Sequence, residues 1–104
     1  MSLPDLGRFS DPALLILVSL AGDEKHGYTM MQDIETISGI KLGPGTLYGA
    51  LSRLEEHEFI EMVETEDRRK PYRLTPKGLT TLESTLDRMQ SFVQTGLQRL
   101  GGAA

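Results

Sequence analysis

Hydrophobic residues recur at helical spacing in the middle of the chain. Four of them fall at positions i, i+3, i+4 and i+7, which predicts a helix with one buried stripe. They are Leu47, Ala50, Leu51 and Leu54. Proline fixes φ for a helical start, so we expect the helix to begin at Pro44 or Thr46 and to end near Glu58. The opposite face is small, hydroxylic and basic, and consists of Gly45, Tyr48, Gly49, Ser52 and Arg53.

Two further helices are predicted before this one. The first opens at Ser10-Asp11-Pro12, where a hydroxyl cap, an acidic residue in the first turn and an early proline are typical of a helix start, and it runs to about Ala21. A short buried strand is the alternative for this apolar run. The second helix runs from His26 to Ser38, and Gly39 closes it. Its buried side is expected to consist of Tyr28, Met31, Ile34 and Ile37.

The first and last helices carry more apolar residues than one small domain buries. Apolar side chains cover every side of the first helix, and in the last helix they recur at spacings of three and four, close to a coiled-coil seam. We therefore interpret the last helix, opened by Thr75 as cap and Pro76, as a dimerisation helix that pairs with the first helix of a second chain. The alternative is that it folds back on its own domain. The expected interface residues are Leu14, Leu17, Val18, Leu82, Leu86, Met89, Val93 and Leu97.

Two short strands follow the central helix. Alternating apolar and polar residues predict strands over 59–64 and 70–74, joined by a long, charged loop that suits a protruding hairpin. The order of elements predicts an α+β, mainly α fold: a winged helix-turn-helix with a long C-terminal helix. The predicted divisions are a flexible leader (1–9), a winged helix-turn-helix domain (10–75), a C-terminal dimerisation helix (76–100) and a frayed tail (101–104).

Composition narrows the function classes. The chain has 104 residues, enough for one domain, and a formal net charge of −4, which argues mildly against nucleic acid. The acidic excess falls within residues 1–40, however, and the rest of the chain is balanced. The basic residues of the hairpin can therefore still form a positively charged ridge that binds nucleic acid. The chain has no cysteine, which excludes disulfides and thiolate chemistry. With no signal peptide evident and no apolar run of bilayer length, we expect a cytoplasmic protein without a membrane partner.

The sequence contains no motif that indicates an enzyme or a metal site. It shows no pairing of nucleophile and base, no glycine-rich phosphate loop and no carboxylate pair in an evident pocket, so we predict that the protein is not an enzyme. Neither His26 nor His57 has a second ligand at the spacing that a metal site requires. We therefore expect neither a metal nor another cofactor.

Several short segments, in this order and spacing, resemble the PadR family of bacterial transcriptional regulators. They are His26-Gly27-Tyr28, Pro44-Gly45-Thr46-Leu47-Tyr48, Arg53-Leu54-Glu55-Glu56, Ile60-Glu61, Lys70-Pro71-Tyr72-Arg73-Leu74-Thr75 and Gly78. The resemblance covers roughly residues 13–86, and the single last helix is similar to the smaller subfamily. It implies a homodimeric winged-helix repressor that binds double-stranded DNA.

The resemblance makes the central helix the recognition helix and the hairpin tip the wing. Thr46 and Tyr48 then suit phosphate contacts. Gly49 permits close approach of the backbone to DNA, while Ser52 and Arg53 are placed to contact base edges. Further phosphate contacts are expected from Lys41, Arg68, Arg69, Lys70 and Lys77. Helix pattern alone leaves open that Tyr48 caps the second helix and that Arg53 pairs with an acidic neighbour, Glu56 or Asp67.

The chain departs from the common family pattern at two positions. Many relatives carry proline where Gly49 stands, and glycine where Glu58 ends the recognition helix. We expect Glu58 to adopt a left-handed conformation at a cost of about 1 kcal/mol. Glu66 and Asp67 lower the positive potential beside the wing arginines, so we expect modest, salt-sensitive affinity per monomer.

An effector is implied by the resemblance alone, because relatives of this size hold flat, hydrophobic or cationic compounds between the paired helices. A small hydrophobic or aromatic effector would thus release the repressor, and its pocket is expected at Leu14, Met89, Phe92 and Val93. The chain has no tryptophan, and Phe92 is the only aromatic residue of the last helix, which argues against an aromatic sandwich. The competing hypothesis is a winged-helix module for protein assembly that does not bind DNA.

Overall fold

The computed structural model describes residues 11–66 and 68–101. In this part of the chain the elements follow in the order α1 (Pro12–Gly22), α2 (Gly27–Ser38), α3 (Pro44–Glu56), β1 (Ile60–Met62), β2 (Tyr72–Leu74) and α4 (Pro76–Gly101). This order confirms the α+β, mainly α fold with a long last helix. The strand alternative for the first apolar run is wrong, because that run is α1. The predicted leader and residues 102–104 of the predicted tail lie outside the described residues.

The first helix forms the centre of the core. Asp11 is its N-cap, since the Asp11 carboxylate accepts a hydrogen bond from the Ala13 amide at 3.0 Å. Asp11 therefore lies before the first turn rather than in it, and Ser10 is outside the described residues. The helix contacts α2, α3, β2 and α4. The chain itself therefore buries Leu15, Ile16, Leu17 and Leu20, including Leu17, which was expected at the interface with a second copy. Leu14 and Val18 remain half-buried.

The buried side of the second helix agrees only in part with the prediction. Met30 and Ile34 are fully buried, whereas Tyr28 is 60% exposed and Ile37 is 50% exposed. The buried side is shifted by about one position from the prediction, to Gly27, Met30 and Ile34. The predicted end at Gly39 is confirmed: Gly39 has φ 75° and its amide donates to the Glu35 carbonyl at 2.8 Å.

The third helix has the predicted buried stripe, and all four of its members are at most 4% exposed. It ends at Glu56, with His57 as its C-cap. Glu58 follows with φ 62°, which confirms the predicted left-handed conformation. The carbonyl of Glu58 accepts a hydrogen bond from the Thr75 hydroxyl at 2.6 Å, so the strained residue is tied to the start of α4.

The two strands form an antiparallel hairpin with Glu61 opposite Arg73. Each has three residues and is shorter than predicted, because the ladder ends where Pro71 accepts from the Val63 amide at 2.8 Å but has no amide to return. A third segment adds a contact that the sequence does not predict: Lys25 exchanges two backbone hydrogen bonds with Tyr72, at 3.1 and 2.9 Å. The wing is thus attached directly to the turn between α1 and α2.

A polar network supports this attachment inside the core. The buried Ser19 hydroxyl donates to the Asp33 carboxylate at 2.6 Å, and the Lys25 ammonium donates to the Ser19 carbonyl at 2.5 Å. Lys25 and Asp33 also form an ion pair at 3.9 Å. Because each group has a partner, the network ties the end of α1 to α2 and to the residue that pairs with the wing.

The last helix packs on the domain through its first half. Its predicted cap is confirmed, since the Thr75 hydroxyl accepts from the Gly78 amide at 3.0 Å. A Cβ at Gly78 would clash with the Phe59 carbonyl oxygen, so the helix lies tightly against the entry to β1. Leu82 is buried in the core, but residues 91–101 are all exposed. The alternative in which α4 folds back on its own domain therefore fails for residues 91–101 and holds only for the first half of the helix.

Candidate nucleic-acid interface

The outward face of α3 is exposed along the helix. Thr46, Ser52 and Arg53 are exposed, and Tyr48 is 49% exposed. Gly49 is half-buried because the Arg53 side chain lies over it: a Cβ at Gly49 would be 3.8 Å from the Arg53 Nη1 atom. Gly49 therefore lies under the Arg53 guanidinium, which fills part of the space that a close backbone approach was expected to use.

Several predicted DNA-contacting cations form no ion pair with another described residue. Within the described residues, 11–66 and 68–101, the ion pairs are Lys25–Asp33, Lys70–Glu64 and Arg73–Glu61. No ion pair among these residues includes Lys41, Arg53, Arg68 or Arg69. The predicted alternative pairing of Arg53 with Glu56 is thus absent, and Asp67 lies outside the described residues.

The wing carries its own acidic partners. Lys70 donates to the Glu64 carboxylate at 2.8 Å, and Arg73 donates to the Glu61 carboxylate at 2.8 Å. The hydrogen bond and the charge of Lys70 hold the pKa of Glu64 below its ordinary value of 4.5. Lys70 is therefore partly neutralised, whereas Arg68 and Arg69 have no acidic partner among the described residues.

A groove of about 340 Å³ separates the start of α2 and Tyr48 from the wing. We call it the polar groove; its lining residues are His26, Gly27, Tyr28, Tyr48, Met62, Arg68, Arg69, Lys70 and Tyr72. Three wing bases on one wall thus face two exposed tyrosines on the other. Residues of α2, of α3 and of the wing thus line a single concave surface.

Tyr48 packs against the start of α2. A Cβ at Gly27 would lie 2.5 Å from the Tyr48 hydroxyl oxygen, so only glycine leaves room for this ring. This contact is the capping arrangement that helix pattern alone left open, and half of the Tyr48 side chain still faces solvent. The contact joins two of the segments that resemble the family, His26-Gly27-Tyr28 and the one that ends in Tyr48.

Two further residues form the inner surface of the polar groove. The ring of Tyr72 is buried, and this burial, together with the negative charge of Glu55 and the nearby Tyr48, raises the pKa of Tyr72 above its ordinary value of 10.0. The Nδ1 atom of His26 is also buried, and no group in the described part of the chain forms a hydrogen bond with it.

Lys77 lies away from the polar groove. Its ammonium donates to the His57 carbonyl at 2.9 Å and lies 5.2 Å from the centroid of the Phe59 ring. It lines a different groove, beside Glu55, Glu58 and Glu61. Lys77 therefore lies at the C-terminal end of α3, where the helix dipole favours a cation, and the structure does not bring it together with the other predicted phosphate contacts.

A second concave surface, the apolar groove, lies between α1, α2 and α4. It measures about 390 Å³ and is lined by Leu14, Leu15, Val18, Ile37, Ser38, Leu86 and Met89. Of the predicted effector pocket, Leu14 and Met89 line it, whereas Phe92 and Val93 are 79% and 53% exposed farther along α4. Leu17 and Leu82, predicted at the dimer interface, belong to the chain's own core.

Two classes of feature are absent from the described ranges. Within residues 11–66 and 68–101, no cluster of three or more acidic, histidine or cysteine side chains is placed to hold a metal ion. None of the helices in these ranges combines the length and the apolarity that crossing a bilayer requires.

Comparison with known proteins identifies the family. A model of the transcriptional regulator PadR-like family matches residues 16–84. The chain is 45% identical over 76 residues to an uncharacterised 37.1 kDa protein in transposon TN4556 of Streptomyces fradiae, covering 73% of this chain and 22% of that protein. It is 31% identical over 93 residues to the transcriptional regulator YqjI of Escherichia coli, covering 88% of this chain and 45% of that protein. The chain thus spans less than half the length of these relatives.

A solved structure agrees with this assignment. A PadR family transcription regulator from Clostridium difficile R20291 superposes with a TM-score of 0.76 at 26% identity, over 86% of this chain and 97% of that one. Proteins of this family are transcriptional regulators and not enzymes, in agreement with the prediction from sequence. The chain belongs to the PadR-like family of transcriptional regulators and has a winged-helix fold.

Proposed function

We propose that the protein is a homodimeric repressor that binds double-stranded DNA in a sequence-specific manner. The observation that carries this proposal is the polar groove, where Tyr48 of α3 and the wing bases Arg68 and Arg69 line one surface. Arginines without an acidic partner in the described ranges are suited to phosphate contacts, which supply much of the affinity of DNA-binding proteins. The acidic total charge does not oppose this, because the acidic excess lies within residues 1–40.

The two parts of the surface have different tasks in this proposal. Arg53 and Ser52 are on the outward face of α3, the element that enters the major groove in helix-turn-helix proteins, and they contact base edges. The wing arginines contact phosphates and carry no sequence information. Lys41, just before α3, and Thr46, in its first turn, are exposed and extend the phosphate contacts.

The exposed seam of α4 supports the homodimer. Val93, Leu97 and Leu100 are exposed on the protruding half of the helix, and Leu86 and Met89 continue the seam into the apolar groove. A contiguous apolar surface of this kind favours cover by another surface. In the proposed dimer, the seam packs against Leu14 and Val18 of the second copy, and the two α3 helices face half-sites about 34–36 Å apart.

The same interface is the proposed effector site. A hydrophobic compound bound in the apolar groove would contact α1, α2 and α4 together, and so alter the spacing of the two α3 helices. Such an effector acts only if it binds the operator-free arrangement more tightly than the bound one. The expected result is lower operator affinity at saturating compound, while an unchanged affinity would rule out this regulation for the compound tested.

The division of tasks is tested with two arginine variants and one control. Arg53→Ala should reduce the discrimination between operator and random duplex, whereas Arg69→Ala should weaken both about equally and lower the salt slope by about one. Arg88→Ala, an exposed arginine off the α4 seam, should change neither quantity. Equal effects of the Arg53 and Arg69 variants would contradict the division. No DNA binding by the wild type would instead favour the assembly-module hypothesis.

A further inference from the structure

Tyr28 has an exposed hydroxyl with no acceptor for its proton among the described residues. The side chain is 60% exposed although the sequence pattern predicts burial, and it lines the polar groove. Its hydroxyl accepts a long hydrogen bond of 3.4 Å from Gln32. Since no group in residues 11–66 and 68–101 accepts from this hydroxyl, Tyr28 can donate to a ligand.

The whole lining of the polar groove favours an anion. None of its lining residues is acidic, although acidic residues outnumber basic ones in the chain by 15 to 11. Arg68 and Arg69 on the wing wall have no ion-pair partner within the described ranges. On the opposite wall the side chain of His26, the N-cap of α2, makes no hydrogen bond to the first amides of that helix. Donors and positive charge therefore face each other across the groove.

We propose that the polar groove holds one phosphodiester segment of the bound DNA strand, and that Tyr28 is a further contact residue for it. This inference rests on the proposed DNA binding and adds α2 to the elements that contact the strand. Tyr28 and Tyr48 donate hydroxyl hydrogen bonds from one wall, and Arg68 and Arg69 approach from the other. The strand is thereby held between the recognition helix and the wing while the outward face of α3 contacts bases.

The experiment is the substitution Tyr28→Phe, which removes the hydroxyl and keeps the ring. We expect operator and random duplex both to bind about tenfold more weakly, since hydrogen bonds to charged groups are the strong ones. Their ratio and the salt slope should stay unchanged, because tyrosine is uncharged. Gln32→Ala is the matched control on the next turn of α2 and should bind as the wild type does. Wild-type affinity in Tyr28→Phe would overturn the inference.

Failure of this inference and failure of the proposed function give different results. If the wild type binds no duplex, the proposed DNA binding fails. If the wild type binds and Arg69→Ala weakens binding but Tyr28→Phe does not, only the role of Tyr28 fails. The double variant adds a second test: Tyr28→Phe and Arg69→Ala should combine less than additively if both contact the same phosphodiester segment. Fully additive losses would contradict a shared segment.

Discussion

Two grooves of similar volume on this small chain have opposite chemistry. The polar groove is lined by tyrosines and wing bases, and the apolar groove by aliphatic side chains of α1, α2 and α4. Both use α2: its start faces the wing, and its end, at Ile37 and Ser38, faces α4. The comparison shows that the net charge of the chain describes neither surface, because each groove is formed by one type of residue from distant parts of the sequence.

The largest expected effect, on dimerisation and operator affinity, comes from a substitution in the apolar seam of α4. Val93→Glu places a charge on the α4 seam, so we expect the dimer to dissociate and operator affinity to fall at least about 100-fold, because one half-site contact is lost. Sedimentation velocity measures the first effect and fluorescence anisotropy the second. Ser91→Glu introduces the same charge off the seam and should leave both unchanged. If the Val93→Glu variant still formed a stable dimer, the α4 seam would not be part of the dimer interface.

The next largest expected effect is on DNA affinity and comes from the polar groove. Gly27→Ala would place a Cβ within 2.5 Å of the Tyr48 hydroxyl oxygen, so the ring must move into the polar groove. We expect about tenfold weaker binding to operator and random DNA alike, with the dimer intact. Gly22→Ala, where the structure leaves open space, is the control. Unchanged DNA affinity of Gly27→Ala would show that the position of Tyr48 does not matter for binding.

A change outside both grooves should affect stability alone. Glu58 has φ 62°, so Glu58→Gly should raise the free energy of unfolding by about 1 kcal/mol, about fivefold in the folding equilibrium. Chemical denaturation measures this value. Operator affinity and dimerisation should stay at the wild-type level. A loss of DNA affinity would mean that the end of α3 takes part in binding.

The smallest expected effect tests the neutralisation of the wing. Glu64→Gln should release Lys70 and strengthen DNA binding about threefold at low salt, with less gain at high salt. Because the pKa of Glu64 is lowered, the Lys70–Glu64 pair is fully formed above pH 4.5 and is lost only as the pH falls through the lowered value. A weaker binding of Glu64→Gln would show that the pair orders the wing rather than competes with phosphate.

Sequence pattern predicts the recognition helix well and the second helix poorly. The α3 stripe is correct because four apolar residues at helical spacing have no competing face. In α2, Tyr28 and Ile37 are aromatic or apolar but line the two grooves, so counting them as core rotates the predicted buried side. Their exposure fits the two proposed binding surfaces better than it fits a role in the core.

Other features depend on contacts between distant segments. The pairing of Lys25 with Tyr72 and the network of Ser19 and Asp33 have no local signal, because each requires knowledge of how α1 and the wing meet. The position of Lys77 has no local signal for the same reason: only the contact between the start of α4 and the end of α3 brings its ammonium to the His57 carbonyl.

The polar groove and the outward face of α3 are the proposed DNA-binding surface of the protein. Fluorescence anisotropy with a labelled duplex from upstream of the protein's own gene, at two salt concentrations and with random competitor, tests this proposal most directly. We predict tight, competitor-resistant binding that weakens with salt and weakens further in Arg69→Ala. Absence of binding to any duplex at low salt would contradict it.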